Sequence, residues 1–219
     1  MGRTIVIGDI HGCFDELQDL LRAVELRTDD RVIAVGDLIV KGPQNHQVLD
    51  RFIEDDRFSS VIGNHDRALR QYWRGEPLQL NKQQRITAAE LESQRERYSA
   101  YLRSLPFAIN LGSHLVVHAG IRPGVPLRRQ MASDLTEMRT MGANPSSRRG
   151  LPWYKVYRGK RIVLFGHWPA KAPRVTPRAV GLDTGCVYGG CLTGYIVELN
   201  QFVSVPARHS YAPRKQSPR

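Results

Sequence analysis

The chain is poor in cysteine, has no membrane-length apolar run, and carries too little acid to balance its base. Its three cysteines, Cys13, Cys186 and Cys191, are too few for a disulfide framework and lack a zinc-ligand spacing. No apolar stretch approaches the roughly 18 to 20 residues that the hydrocarbon thickness of a bilayer demands. At the N-terminus, Thr4-Ile5-Val6-Ile7 is only a strand-length run before Gly8-Asp9, too short for the apolar region of a signal peptide. A reduced, cytoplasmic setting without a membrane is therefore expected. The basic surplus is large: 32 Lys and Arg stand against 21 Asp and Glu, a formal net charge of +11. Between Arg122 and Arg178, thirteen Lys and Arg face only Asp134 and Glu137. Such a stretch is a solvated basic face, a nucleic-acid surface, or a lid that attracts a polyanionic substrate.

What is present is an ordinary globular composition, 41% hydrophobic and 24% charged over 219 residues, enough to bury a full core in one domain. The run 4–7 is a buried strand by length and β-branching. A helix follows over Phe14–Val24, with Leu17, Leu20, Leu21 and Val24 at helical spacing. Arg31–Val35 is a second strand, Gln44–Ile53 a second helix and Phe58–Ile62 a third strand. This alternation predicts parallel pairing with helices covering the sheet. Thr87-Ala88-Ala89-Glu90 has the pattern of a helix-capping box, ahead of Leu91, Tyr98, Tyr101, Leu102 and Leu105 on one face. After Leu111 short β runs take over: Leu115–Val117, Ile162–Phe165, Ala179–Leu182, Tyr195–Leu199 and Phe202–Val205. An irregular loop is expected around Asn144–Pro152. One domain over 1–205 is expected, with a loose basic tail over 206–219.

Five short motifs share one local grammar, a strand followed by polar residues in a turn. They are Gly8-Asp9-Ile10-His11-Gly12, Gly36-Asp37, Gly63-Asn64-His65-Asp66, His118-Ala119-Gly120 and Gly166-His167. Strand ends are where open α/β sheets gather ligands. Alone, an Asp-x-His or a histidine after a strand is more often a turn residue or a satisfied core imidazole. Here four of the chain's seven histidines follow predicted strands, in register with the carboxylates. Asp9, His11, Asp37, Asn64, His118 and His167 offer carboxylate, imidazole and amide donors. That mixture suits Mn²⁺, Fe²⁺, Co²⁺ or Zn²⁺ rather than Ca²⁺. Six donors exceed what one catalytic ion needs and suit two ions sharing Asp37.

Together with Lys41-Gly42-Pro43, Trp168 and Leu182-Asp183-Thr184-Gly185, these motifs resemble the phosphoprotein-phosphatase-like branch of the calcineurin-like metallophosphoesterases. The resemblance runs from about Thr4 to Val205. It implies a four-layer α/β/β/α sandwich with a helical insert, holding two divalent ions, commonly Mn²⁺. It implies Asp9, His11 and Asp37 on the first ion and Asp37, Asn64, His118 and His167 on the second. His65 would be a catalytic imidazole with Asp66 beside it. Lys41, Asn64 and Arg139 would be the groups facing phosphate.

One departure is informative. Protein phosphatases of this branch usually read GD-x-x-D-R-G, where this chain has Gly36-Asp37-Leu38-Ile39-Val40-Lys41-Gly42. Val40 stands where an aspartate would orient the imidazole of His65, and Lys41 replaces a forked arginine by a point charge. A serine or threonine alkoxide needs a proton to leave, whereas a nucleotide phosphate departs as an anion. The substitution points toward a phosphoanhydride. The same shortened motif resembles the symmetrical diadenosine tetraphosphate hydrolases. The activity this implies is in-line attack by a metal-bridged hydroxide on a dinucleoside tetraphosphate, giving two nucleoside diphosphates. A compact serine/threonine protein phosphatase, and a basic protein acting on capped or 5′-phosphorylated RNA ends, are the alternative expectations.

Overall fold

The β-branched runs and amphipathic segments form the elements their patterns dictate. In the computed structural model, which describes residues 2–213, the chain opens with β1 (Thr4–Ile7), α1 (Phe14–Ala23), β2 (Arg31–Ala34), α2 (Asn45–Glu54), β3 (Phe58–Ser60) and α3 (Asn64–Trp73). β1 pairs parallel with β2, and β2 with β3. Parallel neighbours need crossover connections, which α1 and α2 supply. α1 buries Leu17, Leu20 and Leu21, one apolar stripe at steps of three and four. A helical insert follows, α4 (Lys82–Glu90), a 3₁₀ turn at Glu92–Gln94 and α5 (Arg95–Ser104).

The second sheet is built from β4 (Ala108–Asn110), β5 (His114–Val117), β6 (Ile162–Phe165), β7 (Arg174–Thr176) and β8 (Ala179–Gly181), in the order β4-β5-β6-β8-β7. Between β5 and β6 lie α6 (Ala132–Glu137) and the single turn α7 (Trp153–Val156). The chain then returns to the first sheet as β9 (Cys191–Ile196) and β10 (Gln201–Pro206), giving the order β10-β9-β1-β2-β3.

Strand periodicity of two assigns each side chain to a layer. Ile5, Ile7, Val32 and Ala34 face the helices of the first half. Their neighbours Val6, Ile33 and Val35 face the other way and meet Val116, Leu164 and Val180 of the second sheet. From that sheet, Leu115, Val117, Val163 and Phe165 turn outward to pack with Leu135, Met138 and Trp153. The result is the α/β/β/α sandwich, with helices outside and two mixed sheets face to face. Among the described residues no helix is long and apolar enough to cross a membrane.

Several local expectations change. The capping box lies at Asn81, not Thr87. The Asn81 side chain accepts from the Gln84 amide at 3.1 Å, and Gln84 Oε1 accepts from the Asn81 amide at 3.0 Å. Thr87 is instead buried in the last turn of α4, and the apolar face of Tyr98 and Leu102 belongs to α5. Thr87-x-x-Glu90 and Asn81-x-x-Gln84 carry the same cap signal; burial of Thr87 and Ala88 decides between them. Val197–Leu199 is a 3₁₀ turn rather than the end of a strand, closing the β9–β10 hairpin through Asn200 at φ 50°. α3, β4 and β7 were not anticipated.

The segment after Pro206, expected to be loose, is tied down as far as Pro213. The Arg208 guanidinium pairs with Asp15 at 2.9 Å and Asp19 at 3.0 Å. Tyr211 and Ala212 donate their amides to the Val187 carbonyl. Residues 214–219 of that expected tail lie outside the described residues.

Because the Asn81 cap satisfies an otherwise orphaned amide of α4, Asn81→Ala is expected to cost about 1 kcal/mol. That lowers Tm by about 2–4 °C for a chain of this size. An unchanged Tm in a thermal melt would contradict the assigned cap.

Candidate metal centre

Loops leaving β1, β2 and β3 in one sheet and β5, β6 and β8 in the other converge at one edge of the sandwich. They deliver Asp9 and His11, Asp37, Asn64, His118, His167 and Asp183 respectively. Two glycines allow the loops to touch. A Cβ on Gly166 would run into Asp9 Oδ1, and one on Gly63 into the Asp37 backbone. His11, Asp37 and His167 sit in the left-handed region at φ 51°, 52° and 67°. Each such position costs a non-glycine residue on the order of 1–3 kcal/mol, and persists only where the surroundings over-determine it.

Backbone carbonyls orient two of the imidazoles. His118 Nδ1 lies 2.8 Å from the Val35 carbonyl and His11 Nδ1 3.2 Å from that of Ile39. A carbonyl only accepts, so each Nδ1 carries the ring proton and each Nε2 presents a lone pair. The His118 lone pair faces only acceptors, while that of His11 meets Lys41 Nζ at 2.8 Å with carboxylates just beyond. His118 Nε2 stands 3.5 Å from Asp37 Oδ2 and 3.0 Å from Asn64 Oδ1. His11 Nε2 stands 3.5 Å from the same Asp37 oxygen and 4.0 Å from Asp9 Oδ2. His167 Nδ1 is 2.8 Å from Asn64 Oδ1, its Nε2 is buried with no partner, and its backbone amide donates to Asp9 at 3.0 Å.

Electrostatics sharpen the conflict. Burial pushes the carboxyl of Asp37 up to about 6, against the pull of Lys41, and raises Asp9 and Asp183 as well. Burial also drives the imidazoles of His11, His65 and His167 well below their ordinary value, and that of His118 to about 4. Neutral imidazole nitrogens, carboxylate oxygens and an amide oxygen thus point at one another. Divalent cations resolve that arrangement, and the donor set fits borderline transition metals. Asp37 Oδ2 is equidistant from His11 and His118, at 3.5 Å from each Nε2.

The remaining expected residues separate by place. His65 lines the cleft, and its Nδ1 lies 3.4 Å from Gln84 Nε2. Val40 is fully buried in the apolar cluster at φ 77° and offers that imidazole no hydrogen-bonding group. Gln84, reaching in from α4, takes the partner's place. Asp66 does not line the cleft. It is buried beneath it, accepting from the amides of Leu38 at 3.1 Å and Gly63 at 3.0 Å, and burial pushes its carboxyl up to about 7. Lys41 Nζ is 2.8 Å from His11 Nε2 and sits over the Tyr188 ring. Arg139 reaches the cleft wall, with Nη1 donating to the Ser146 carbonyl at 2.8 Å and Nε buried without a partner. Of the basic stretch 122–178, Arg139 and Arg148 line the cleft, whose volume is about 460 Å³. Arg122 is committed elsewhere, to Asp134 at 2.7 Å. Asp183 and Gln84 were missed. Asp183 follows β8 in the same strand-then-turn grammar as the five motifs and was legible; Gln84 carries no such signal.

The Calcineurin-like phosphoesterase family profile matches residues 2–203. The chain belongs to that family. It is 33% identical to the bis(5′-nucleosyl)-tetraphosphatase PrpE [asymmetrical] of Bacillus subtilis (strain 168), covering 94% of this chain and 95% of that protein. Its identity to the protein of the same name from Anoxybacillus flavithermus is 31%, covering 97% and 98%. Among solved structures it is similar to one provisionally described as a diadenosine tetraphosphatase, with a TM-score of 0.79, 34% identity and 94% of each chain covered. A Saccharomyces cerevisiae protein serine/threonine phosphatase shares the fold at a TM-score of 0.62 and 16% identity, covering 99% of this chain and 81% of that one.

Two outcomes follow from this geometry. A carboxyl whose folded pKa is raised favours folding while protonated, and that stability drains away as pH rises through about 6 for Asp37 and about 7 for Asp66. The depressed imidazoles act oppositely, costing stability as pH falls below the ordinary histidine range toward about 4 for His118. Divalent ions bind the deprotonated forms of both groups. The Tm increment on adding Mn²⁺ should therefore grow between about pH 5.5 and about pH 8; a constant or shrinking increment would contradict the donor set. Asp66→Ala leaves buried amide donors unsatisfied and should cost about 3 kcal/mol or more in a denaturant melt. A variant of normal stability that has lost only turnover would instead make Asp66 a participant in the chemistry.

Proposed function

We propose that the chain is a two-metal hydrolase of dinucleoside tetraphosphates, cleaving diadenosine tetraphosphate asymmetrically to ATP and AMP. The observation that carries this reading is the acceptor cluster around Asp37 Oδ2, set in a chain similar along nearly its whole length to proteins named as asymmetrical tetraphosphatases. Symmetrical cleavage, the expectation from the shortened motif, finds no support in those names. A cytoplasmic setting accords with a nucleotide polyphosphate substrate.

In this reading Asp9, His11 and Asp37 hold one divalent ion, and Asp37, Asn64, His118 and His167 hold the other. Mn²⁺ is the first choice, with Co²⁺, Fe²⁺ or Zn²⁺ as alternatives. Such ions, when bound, supply Lewis acidity for the phosphoryl oxygens and bring water into the reactive pH range. The chain's own residues do the rest. Arg139 presents its unpartnered Nε–H to the equatorial oxygens, held in aim by its bond to Ser146. Lys41 and Arg148 draw the remaining phosphate charge into the cleft, and Lys82 lines it at α4.

His65 acts as a hydrogen-bond donor. Gln84 commits Oε1 to the Asn81 amide, so its amide NH₂ faces His65 Nδ1 and leaves the ring proton on Nε2. Burial keeps this ring neutral, and no carboxylate raises it. A neutral donor serves a nucleotide leaving as its phosphate anion far better than it serves a serine alkoxide. That preference separates this reading from the protein-phosphatase one.

Chromatography of the products of diadenosine tetraphosphate with Mn²⁺ tests the reading: ATP plus AMP is expected. Two ADP would move the scissile bond to the centre of the chain. No cleavage, alongside brisk hydrolysis of a phosphopeptide or capped RNA, would overturn the substrate class. Arg139→Ala should lower kcat about 10²–10³-fold, the usual cost of a transition-state donor. Arg139→Lys should restore little, because a point charge cannot reproduce the fork. Full activity in Arg139→Ala would remove it from the site.

A further inference from the structure

A second cluster of metal-binding side chains lies outside the cleft and plays no part in the chemistry above. Cys13 Sγ, a carboxylate oxygen of Glu16 and Cys186 Sγ lie within 4.8 Å of one another. The three residues are 0%, 0% and 2% exposed. They come from the N-terminus of α1 and the loop between β8 and β9, far apart in sequence. The Glu16 carboxylate is half-satisfied. Its Oε1 accepts from the Arg208 amide at 2.9 Å and from Tyr211 Oη at 2.7 Å, while its Oε2 is buried with no hydrogen-bond partner. A buried carboxylate oxygen without a partner is expensive, and two thiols are poor donors with which to repay it.

We infer that Cys13, Glu16 and Cys186 form a separate site for one thiophilic divalent cation of the Zn²⁺ type. Two sulfurs and a carboxylate select Zn²⁺ over Mn²⁺, the reverse of the sulfur-free cleft. The N-terminal end of α1 supplies a favourable field for the anionic ligands: Cys13 is the residue preceding the helix, and Glu16 lies in its first turn. The Cys13 contact and burial raise the Cys186 thiol. A coordinating cation takes thiols as thiolates outright. Tyr211 Oη, already against the carboxylate, offers a fourth donor.

The ion would brace the metal centre from behind. Cys13 is two residues after His11, and Cys186 is three after Asp183. Glu16 ties in the C-terminal segment through Arg208 and Tyr211. Three segments of backbone would be fixed to one another, two of which already meet where Tyr211 and Ala212 donate to the Val187 carbonyl. The inference does not depend on the substrate proposed above.

Cobalt is the probe, because a thiolate–Co²⁺ charge-transfer band in the near ultraviolet cannot arise from the sulfur-free cleft. The full chain, reduced with a phosphine, is titrated with Co²⁺ alone. The band should appear in the wild type and in Asp37→Asn, be displaced by Zn²⁺, and vanish in Cys186→Ser. In Glu16→Gln, which keeps both thiols, binding should weaken by more than the ~100-fold upper cost of losing a merely supporting residue. Absence of the band in the reduced wild type overturns the inference whatever the variants do. A band undiminished in a folded Cys186→Ser, or affinity unchanged in Glu16→Gln, overturns it equally.

Discussion

Asp37 Oδ2 stands 3.5 Å from the Nε2 of His11 and 3.5 Å from the Nε2 of His118, and neither nitrogen has a proton to give it. A carboxylate oxygen buried between two lone pairs, only one of which Lys41 Nζ meets, is unfavourable in the isolated chain, and divalent cations would relieve it. Much else in the molecule follows from holding that arrangement together. The left-handed backbone at His11, Asp37 and His167 stores strain where the loops must turn. Gly63 and Gly166 let the loops approach within a distance that any side chain would prevent. Asp66, below the cleft, gathers the amides of Leu38 and Gly63 and fixes the Asp37 loop against the start of α3.

Both sheets supply the candidate ligands. The first sheet contributes Asp9, Asp37 and Asn64, the second His118, His167 and Asp183. The interface of Val6, Ile33 and Val35 with Val116, Leu164 and Val180 holds the two edges in register. A buried hydrophobic layer thus sets the distances of a polar site. The cationic groups belong to neither sheet. Lys41 comes from the loop after β2 and Arg139 follows α6, so the cleft's positive charge is supplied by peripheral segments, as is Gln84 of the helical insert.

Much of this was legible in the sequence, and the reason is local. Thr4–Ile7, Arg31–Ala34 and Ile162–Phe165 are strands because β-branched residues and burial agree over short spans. The ligands sit at the strand ends in a repeated grammar, so six donors could be named before their meeting was visible. What failed was non-local or degenerate. Asn81 and Thr87 head identical capping patterns, and tertiary burial chose the former. Gln84 became a partner of His65 only through the placement of α4. The segment after Pro206 looked loose by composition, yet Arg208 finds Asp15 and Asp19 nearly 200 positions away. Cysteine spacing excluded a local zinc motif, and no spacing rule brings Cys13, Glu16 and Cys186 together.

Anomalous diffraction from crystals grown with Mn²⁺ tests the central claim most directly. Two peaks on either side of Asp37 Oδ2, about 3.5–4 Å apart, are predicted, one against His11 and the other against His118. A well-ordered cleft without peaks, or with a single ion that does not touch Asp37, would contradict the account.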